Sequence, residues 1–379
     1  SYLNKRNLSD ETVNFFKLGF SSNSNQTLYQ FLKEQNFEDK ELLESNVVKL
    51  DKNNKIRDFF YNRLMFPITN EYGKIVGFGG RVLDNSNPKY INSPESDFFK
   101  KRNILYNLYN AKQTIRSKKN MLICEGYMDV ISLYDKNIKT AVAPLGTSLT
   151  ESHLILSWKY VSKPTLMFDG DTSGLKASFK SAVMSLPYLT PSKLLQFIIL
   201  PNQYDPDTYI NEFSLNEFAK YLKNPLSIVD FIFDESSKSI DLSKSDNKVI
   251  FDNYIDELVN NIKDSKIKYF YKNEFKSLFF KKLKSFSKNK NSINIRKNKT
   301  SLKEKQILSF ITAYLNHLKL RNELYLLLTK SELLNKDQIE FLNFIHNSEF
   351  LEVEIDNIDK SSFPNTLSEI YEKTRDTSI

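Results

Sequence analysis

Between residues 119 and 210 short apolar runs alternate with amphipathic stretches, which predicts strands separated by helices. Met121-Leu-Ile-Cys124 reads as a strand, followed by Glu125-Gly126 and a helix from Tyr127 to about Tyr134. Thr140-Ala-Val-Ala143 is a second strand, leading through Leu145-Gly-Thr-Ser148 into a helix that ends near Trp158. Thr165-Leu-Met-Phe168 is a third and stops at Asp169-Gly-Asp171, ahead of a helix from Leu175 to Leu186. Leu194 to Leu200 is a fourth, closing at Pro201 and then Asp205-Pro-Asp207. Strands this short, alternating with helices, predict a parallel, Rossmann-like sheet. Ligands of such sheets bind beyond the carboxyl ends of the strands. Glu125, Asp169, Asp171, Asp205 and Asp207 each fall just after a predicted strand, so the pattern collects them along one edge.

Outside this unit the pattern changes. Asn4 to about Leu50 reads as polar helix, and residues 63–106 read as β-rich, with Leu64-Met-Phe-Pro-Ile68, a turn at Glu71-Tyr-Gly73 and Ile75 to Val82. Apolar residues at helical spacing run from Leu226 to about Phe286, and two or three further helices are predicted over roughly 303–350. All nine glycines lie between Gly19 and Gly174. The first half therefore reads as turn-rich α/β structure and the second as helices.

Composition narrows the class. The 379 residues exceed one small core, so two or three domains are expected. No apolar run approaches the roughly 20 residues of a bilayer span, and the opening residues hold no signal-peptide core. A single cysteine, Cys124, excludes an internal disulfide and a cysteine-based zinc ribbon within these residues, and fits a reducing cytoplasm. The formal charge of +8 is unevenly spread: residues 261–300 hold 13 Lys and Arg against Asp264 and Glu274. That segment is either a solvated lysine-rich helix or a contact for a phosphate backbone, and charge alone does not choose between them.

The chemistry lies in the carboxylates. Several at one edge repel one another, and a Mg²⁺ ion relieves this, because it is held by one or two carboxylates plus substrate phosphates. A lone Asp-Gly-Asp is ordinarily a turn that caps the next helix. A Glu-Gly after one strand, Asp-Gly-Asp two strands on and Asp-Pro-Asp after the next form a set that predicts a metal site. Asp169 and Asp171 are expected on one side of an extended segment, with Gly170 letting the backbone turn between them. Candidate phosphate-facing cations precede the acids: Arg63, Arg81 in Gly79-Gly-Arg81, Lys89 in Pro88-Lys-Tyr90, and Lys101. No G-x-x-x-x-G-K-[ST] loop is present, so helicase-type ATP hydrolysis has no support.

Glu125-Gly-Tyr-Met-Asp129, Asp169-Gly-Asp171 and Asp205-Pro-Asp207 resemble the Toprim signature of primases, topoisomerases and some nucleases. Phe66-Pro-Ile68, Gly77-Phe-Gly-Gly-Arg81 and Pro88-Lys-Tyr-Ile-Asn-Ser-Pro-Glu95, in that order ahead of it, resemble the bacterial DnaG-type replicative primase. Tyr2-Leu-Asn-Lys-Arg6 with Leu8-Ser9 resembles the opening of the same core. The resemblance implies that Glu125 is the catalytic acidic residue and that Asp169 and Asp171 are metal ligands, all three serving catalysis and holding metal. It implies supporting acids at Asp129, Asp205 and Asp207, the last two as further metal ligands. Arg6, Arg81, Lys89, Asn92 and Lys101 match positions for nucleotide or template binding. Asn7 stands where the family usually has glycine, and a left-handed conformation there would preserve the turn. Asn103 replaces a frequently basic residue, beside Arg102.

The same resemblance implies an α/β fold class: an α+β part over 1–118 for nucleotide and template binding, and a Toprim catalytic domain over 119–215. A helical part over 216–290, a linker over 291–302 and a helical segment over 303–379, part of a helicase-binding domain, complete it. The family's zinc-binding domain is expected to be missing, so the chain reads as an excised fragment with no zinc. The implied activity is DNA-directed RNA polymerase (primase) nucleotidyl transfer with Mg²⁺ or Mn²⁺. Its partners would be single-stranded DNA template, NTPs, an RNA–DNA hybrid and a replicative helicase, with no membrane. Two rivals stand beside it: a Toprim nuclease or topoisomerase, and a non-catalytic helicase-docking or DNA-tethering module.

Overall fold

Short capped helices open the chain. In the computed structural model, which describes residues 2–22, 27–84, 86–146, 148–290, 302–330 and 334–347, α1 (Tyr2–Lys5) is followed by α2 (Asp10–Phe15), capped by Ser9. Asn7 between them takes the left-handed conformation, φ 54°. The expectation of polar helix from Asn4 to about Leu50 is corrected here. β1 (Gly19–Ser21) interrupts it, followed by α3 (Leu28–Glu34), α4 (Asp39–Glu44) and β2 (Val48–Leu50). Three-residue strands are too short to leave a period-two signal, and these two are held by pairing. β2 pairs with β3 (Ile56–Asp58), and β1 pairs with β4 (Arg63–Thr69). β4, β5 (Ile75–Val82) and β6 (Tyr90–Asn92) complete an antiparallel sheet in the order β1-β4-β5-β6.

A 3₁₀ turn at Lys101–Asn103 and α5 (Leu108–Lys118) lead to the second sheet. There β7 (Leu122–Ile123), α6 (Tyr127–Asp135), β8 (Ala141–Val142), α7 (Glu151–Trp158), β9 (Thr165–Leu166), α8 (Thr172–Ser185) and β10 (Gln196–Phe197) alternate as the periodicity predicts. These four strands are parallel. After α9 (Pro206–Glu212) and α10 (Leu215–Lys223), β11 (Leu226–Ser227) adds an antiparallel edge where helix is expected. The order is β11-β10-β9-β7-β8. The chain leaves β7 for β8 on one side and returns to place β9 on the other, so the topological switch point lies between β7 and β9.

Both sheets belong to one unit, which ends at Asn289. Phe66 of β4 is fully buried and stacks on Tyr127 of α6 with ring centroids 4.9 Å apart. Tyr106 and Ala143 form a bridge between the segment before α5 and the end of β8. α11 (Ile228–Ser237), α12 (Ser245–Asn260) and α13 (Ser265–Lys290) complete this unit's helices. Phe231 of α11 stacks on Phe197 of β10 at 4.2 Å.

The second unit contains α14 (Leu302–Asn316), α15 (Arg321–Lys330) and α16 (Lys336–His346) around Ile311, Tyr314, Phe341 and Leu342. Arg321 is buried there, and its guanidinium donates to the carbonyls of Tyr314 at 3.3 Å and Leu315 at 2.6 Å. The linker expected over 291–302 falls, but for Leu302, outside the described residues, as does the chain beyond residue 347. No helix among the described residues is long and apolar enough to cross a membrane.

Phe66 joins the two sheets through a fully buried ring. Phe66→Ala is expected to destabilise the chain by about 3–5 kcal/mol. Urea unfolding followed by tryptophan fluorescence checks this, and a loss below about 1 kcal/mol would show that the sheets do not depend on that contact.

Candidate active site

Four strand ends meet at one cavity of about 290 Å³. Glu125 follows β7, Gly146 follows β8, Asp169 follows β9 and Asp205 lies beyond β10, and all four line it. Asp129 and Asp207, from the first turns of α6 and α9, line it as well. Glu125 and Asp169 flank the switch point, and the Asp169 N–H donates to the Glu125 carboxylate at 3.3 Å. A larger cavity of about 630 Å³ lies against the first sheet, but among the described residues Asp58 is the one ionisable side chain lining it. Chemistry, not size, selects the smaller one.

Gly170 is present because of crowding. A Cβ there would sit 2.2 Å from the Pro201 carbonyl oxygen and 2.6 Å from that of Leu200, and the Gly170 N–H donates to the Tyr204 carbonyl at 2.8 Å. The residue lets the loops after β9 and β10 lie against each other, which brings Asp205 toward Asp169. Asp169 and Asp171 do not line the cavity together. One oxygen of Asp171 caps α8, accepting from the Gly174 N–H at 2.8 Å, while Asp169 lines the cavity. Asp171 still acts through its charge, which raises the pKa of both Glu125 and Asp169.

The acids are in electrostatic conflict. Burial and then the charges of Glu125, Asp205 and Asp171 push Asp169 up to about 7. Glu125 is raised by burial, against the hydrogen bond from Asp169 N–H, and further by Asp171 and Asp205. Asp129, buried, is held well above the usual carboxylate range by burial and by Asp169 and Asp205. Its carboxylate accepts from the Gly126 N–H at 2.9 Å and so fixes the turn beside Glu125. Asp207 is already partnered: Arg6 pairs with it, and Ser132 and Asn211 donate to it at 2.5 and 3.0 Å. Asp205 caps α9 through the Thr208 N–H at 2.6 Å.

Basic residues share the lining. Arg6, Arg81, Lys89 and Asn92 line the same cavity. Arg81 is 7% exposed, lies 4.5 Å from the centre of the Tyr2 ring and 5.3 Å from that of Tyr90, and donates to the Tyr90 hydroxyl at 3.1 Å. Its Nε has no hydrogen-bond partner among the described residues. Gly79 admits the Tyr127 ring, whose atoms would lie 2.7 Å from an added Cβ. The Tyr127 hydroxyl donates to Asn92 at 2.6 Å, and the Asn92 amide donates to the Leu145 carbonyl at 3.0 Å. Asn92 therefore ties β6 to the loop after β8.

Two of the cations named from sequence lie elsewhere. Arg63 is buried and donates to the carbonyls of Gly80 and Pro88 at 3.3 and 3.1 Å, bracing the loop that presents Lys89. Lys101 does not line the cavity: its N–H donates to Glu95 at 3.0 Å, and its carbonyl lies 2.9 Å from the His153 Nε2. Tyr2, Tyr90 and Tyr127 do not stand out as site residues in the sequence, although each sits inside one of its motifs. An aromatic beside a basic residue carries no distance information in one dimension.

The donor set suits a hard divalent cation, because half-buried carboxylates that raise one another's pKa gain by sharing a positive charge. Among the described residues no three His, Cys, Asp or Glu side chains form a ready cage. That fits an ion held by one or two carboxylates together with substrate oxygens.

Residues 1–112 match the family described as the DNA primase catalytic core, N-terminal domain, and residues 119–192 match the Toprim domain. A DNA primase of Buchnera aphidicola is 39% identical over 267 residues, 70% of this chain and 46% of that protein. One of Rickettsia felis is 35% identical over 296 residues, 77% of this chain and 50% of that protein. The chain thus spans about half the length of these relatives. A solved structure of the DnaG primase catalytic domain bound to ssDNA superposes with a TM-score of 0.66 at 32% identity, over 72% of this chain and 86% of that one. A DNA primase domain from Pseudomonas aeruginosa gives 0.68 at 30%, over 73% and 87%.

The raised carboxyl of Asp169 predicts a pH signature. Its folded pKa lies above the unfolded value of about 4, so its contribution to stability is present at low pH and is lost across about pH 4 to 7. Divalent cation should restore it. The thermal shift produced by Mg²⁺ over EDTA is expected to grow from pH 5.5 to 7.5 and to shrink in Asp169→Asn. A shift independent of pH in the unsubstituted chain would sink this account.

Proposed function

The chain belongs to the DnaG-type DNA primase family, and on that premise we propose that it synthesises short RNA primers from ribonucleoside triphosphates on a single-stranded DNA template. The observation that carries this reading is one cavity lined both by Glu125, Asp129, Asp169, Asp205 and Asp207 and by Arg6, Arg81 and Lys89. Phosphoryl transfer needs both, a place for cations and a place for phosphates.

Glu125, Asp169 and Asp171 are the residues we assign to catalysis and metal, with Asp205 and Asp207 as further ligands and Asp129 in support. A bound Mg²⁺ or Mn²⁺ would orient the primer 3′-hydroxyl and offset charge on the transferred phosphoryl group and the pyrophosphate. Arg81, held against the Tyr2 and Tyr90 rings, lines the cavity and would offer its guanidinium charge to a triphosphate or template phosphate. Lys89, exposed on the loop braced by Arg63, adds a second positive charge. Arg6 is held by Asp207, and Asn92 ties β6 to the loop after β8. The template and the RNA–DNA hybrid would run over these basic residues. We assign residues 303–379 to docking on a replicative helicase, and the protein to the bacterial cytoplasm at the replication fork.

Incubation with single-stranded template, labelled NTPs and Mg²⁺ or Mn²⁺ tests the reading. Template-dependent oligoribonucleotides are expected, and Glu125→Gln or Asp169→Asn should lower their yield at least a hundredfold. Template cleavage without RNA product would overturn it in favour of a Toprim nuclease. Undiminished synthesis by both variants would remove the acidic edge from the chemistry.

A further inference from the structure

The lysine-rich segment that charge alone leaves undecided is resolved by where its side chains point. Helix α13 carries nine lysines against one acid, Glu274. Its apolar side is already committed, with Ile267, Phe275 and Phe279 buried in the core of the first unit. Its outward side holds large rings in solvent: Tyr269 is 64% exposed, and Phe270 and Phe280 are each 58% exposed. Lys266, Lys276 and Lys281 are exposed between them, and none takes part in an ion pair among the described residues. At about 100° per residue these six side chains fall on one stripe of about 140°, and Lys266 to Lys281 spans about 22 Å.

We infer that this stripe is a binding surface for single-stranded nucleic acid, separate from the acidic cavity. Lysines at intervals match backbone phosphates, and aromatic rings between them offer faces on which unpaired bases stack without regard to sequence. The length suits a site of about four or more nucleotides. A membrane surface matches less well. Helices that lie in a bilayer interface keep the apolar face apart from the charged one. Here the apolar face is spent on the core, and the outward rings are mixed with the lysines. An acidic protein surface would pair with the charges but leave no reason for three exposed rings among them. The inference rests on α13 alone and not on the reading of the cavity.

Fluorescence anisotropy of labelled dT20 with the full chain, measured across salt concentrations, tests it. Lys266→Ala/Lys276→Ala/Lys281→Ala should weaken binding at least fivefold near 0.1 M salt and flatten the salt slope by about 2, at roughly 0.7 per lost phosphate contact. Tyr269→Ala/Phe270→Ala/Phe280→Ala should weaken binding about tenfold with the slope unchanged. All six residues are exposed and lie outside the cavity, so the thermal shift with Mg²⁺ should persist in both variants and report that they fold. Affinity and slope equal to those of the unsubstituted chain would overturn the inference. So would unchanged dT20 binding together with lost sedimentation on phosphatidylglycerol vesicles, which would assign the stripe to a membrane. Absence of primer synthesis by the unsubstituted chain would count against the reading of the cavity and leave this measurement intact.

Discussion

Carboxylates crowded at a half-buried edge set the terms for the rest of the first unit. Glu125 and Asp169 end neighbouring parallel strands, close enough for one backbone N–H to bridge them. Burial makes each charge costly, and each neighbour makes it costlier, so the Asp169 carboxyl titrates near neutral pH. The cations at hand do not relieve this. Arg6 is engaged with Asp207, and Arg81 lies against two tyrosine rings. An edge of this kind is tolerable as a receptor for an external cation, and the surrounding structure maintains it rather than dissolving it. Gly170 lets two loops touch, and the Asp129 carboxylate locks the turn beside Glu125.

The cavity exists because two sheets meet. The acids come from the parallel sheet and the helices that follow its strands. Arg81, Lys89 and Asn92 come from the antiparallel one. Tyr127 is the joint: its ring stacks on Phe66 and fits over Gly79, and its hydroxyl binds Asn92. Burial raises the pKa of the Tyr127 phenol far out of reach, so it serves as a neutral donor at any ordinary pH. Because one aromatic residue links the sheets, packing and chemistry in this unit cannot be varied independently.

The parallel alternation of strand and helix was legible in one dimension, and with it the edge at which Glu125, Asp169 and Asp205 collect. That inference needs no tertiary knowledge, because a parallel strand always ends on the same side of its sheet. The glycines around Arg81 were legible as marks of a shaped backbone, though their partner, Tyr127, was not. Strand order was not legible either. That β9 returns beside β7 rather than following β8 puts the switch point between Glu125 and Asp169, and only sheet pairing decides it. The same holds for Asp169 and Asp171, two residues apart, where one carboxylate lines the cavity and the other gives an oxygen to a helix cap. It holds for Arg63, which reads as a phosphate ligand until its carbonyl partners are seen. Composition flagged α13 as basic, but only the burial of Ile267, Phe275 and Phe279 shows which of its lysines and rings face outward. Local patterns determine which chemistry the chain carries, because strand and helix periods are short-range. Which groups share a cavity is a long-range matter of packing, and the fold alone decides it.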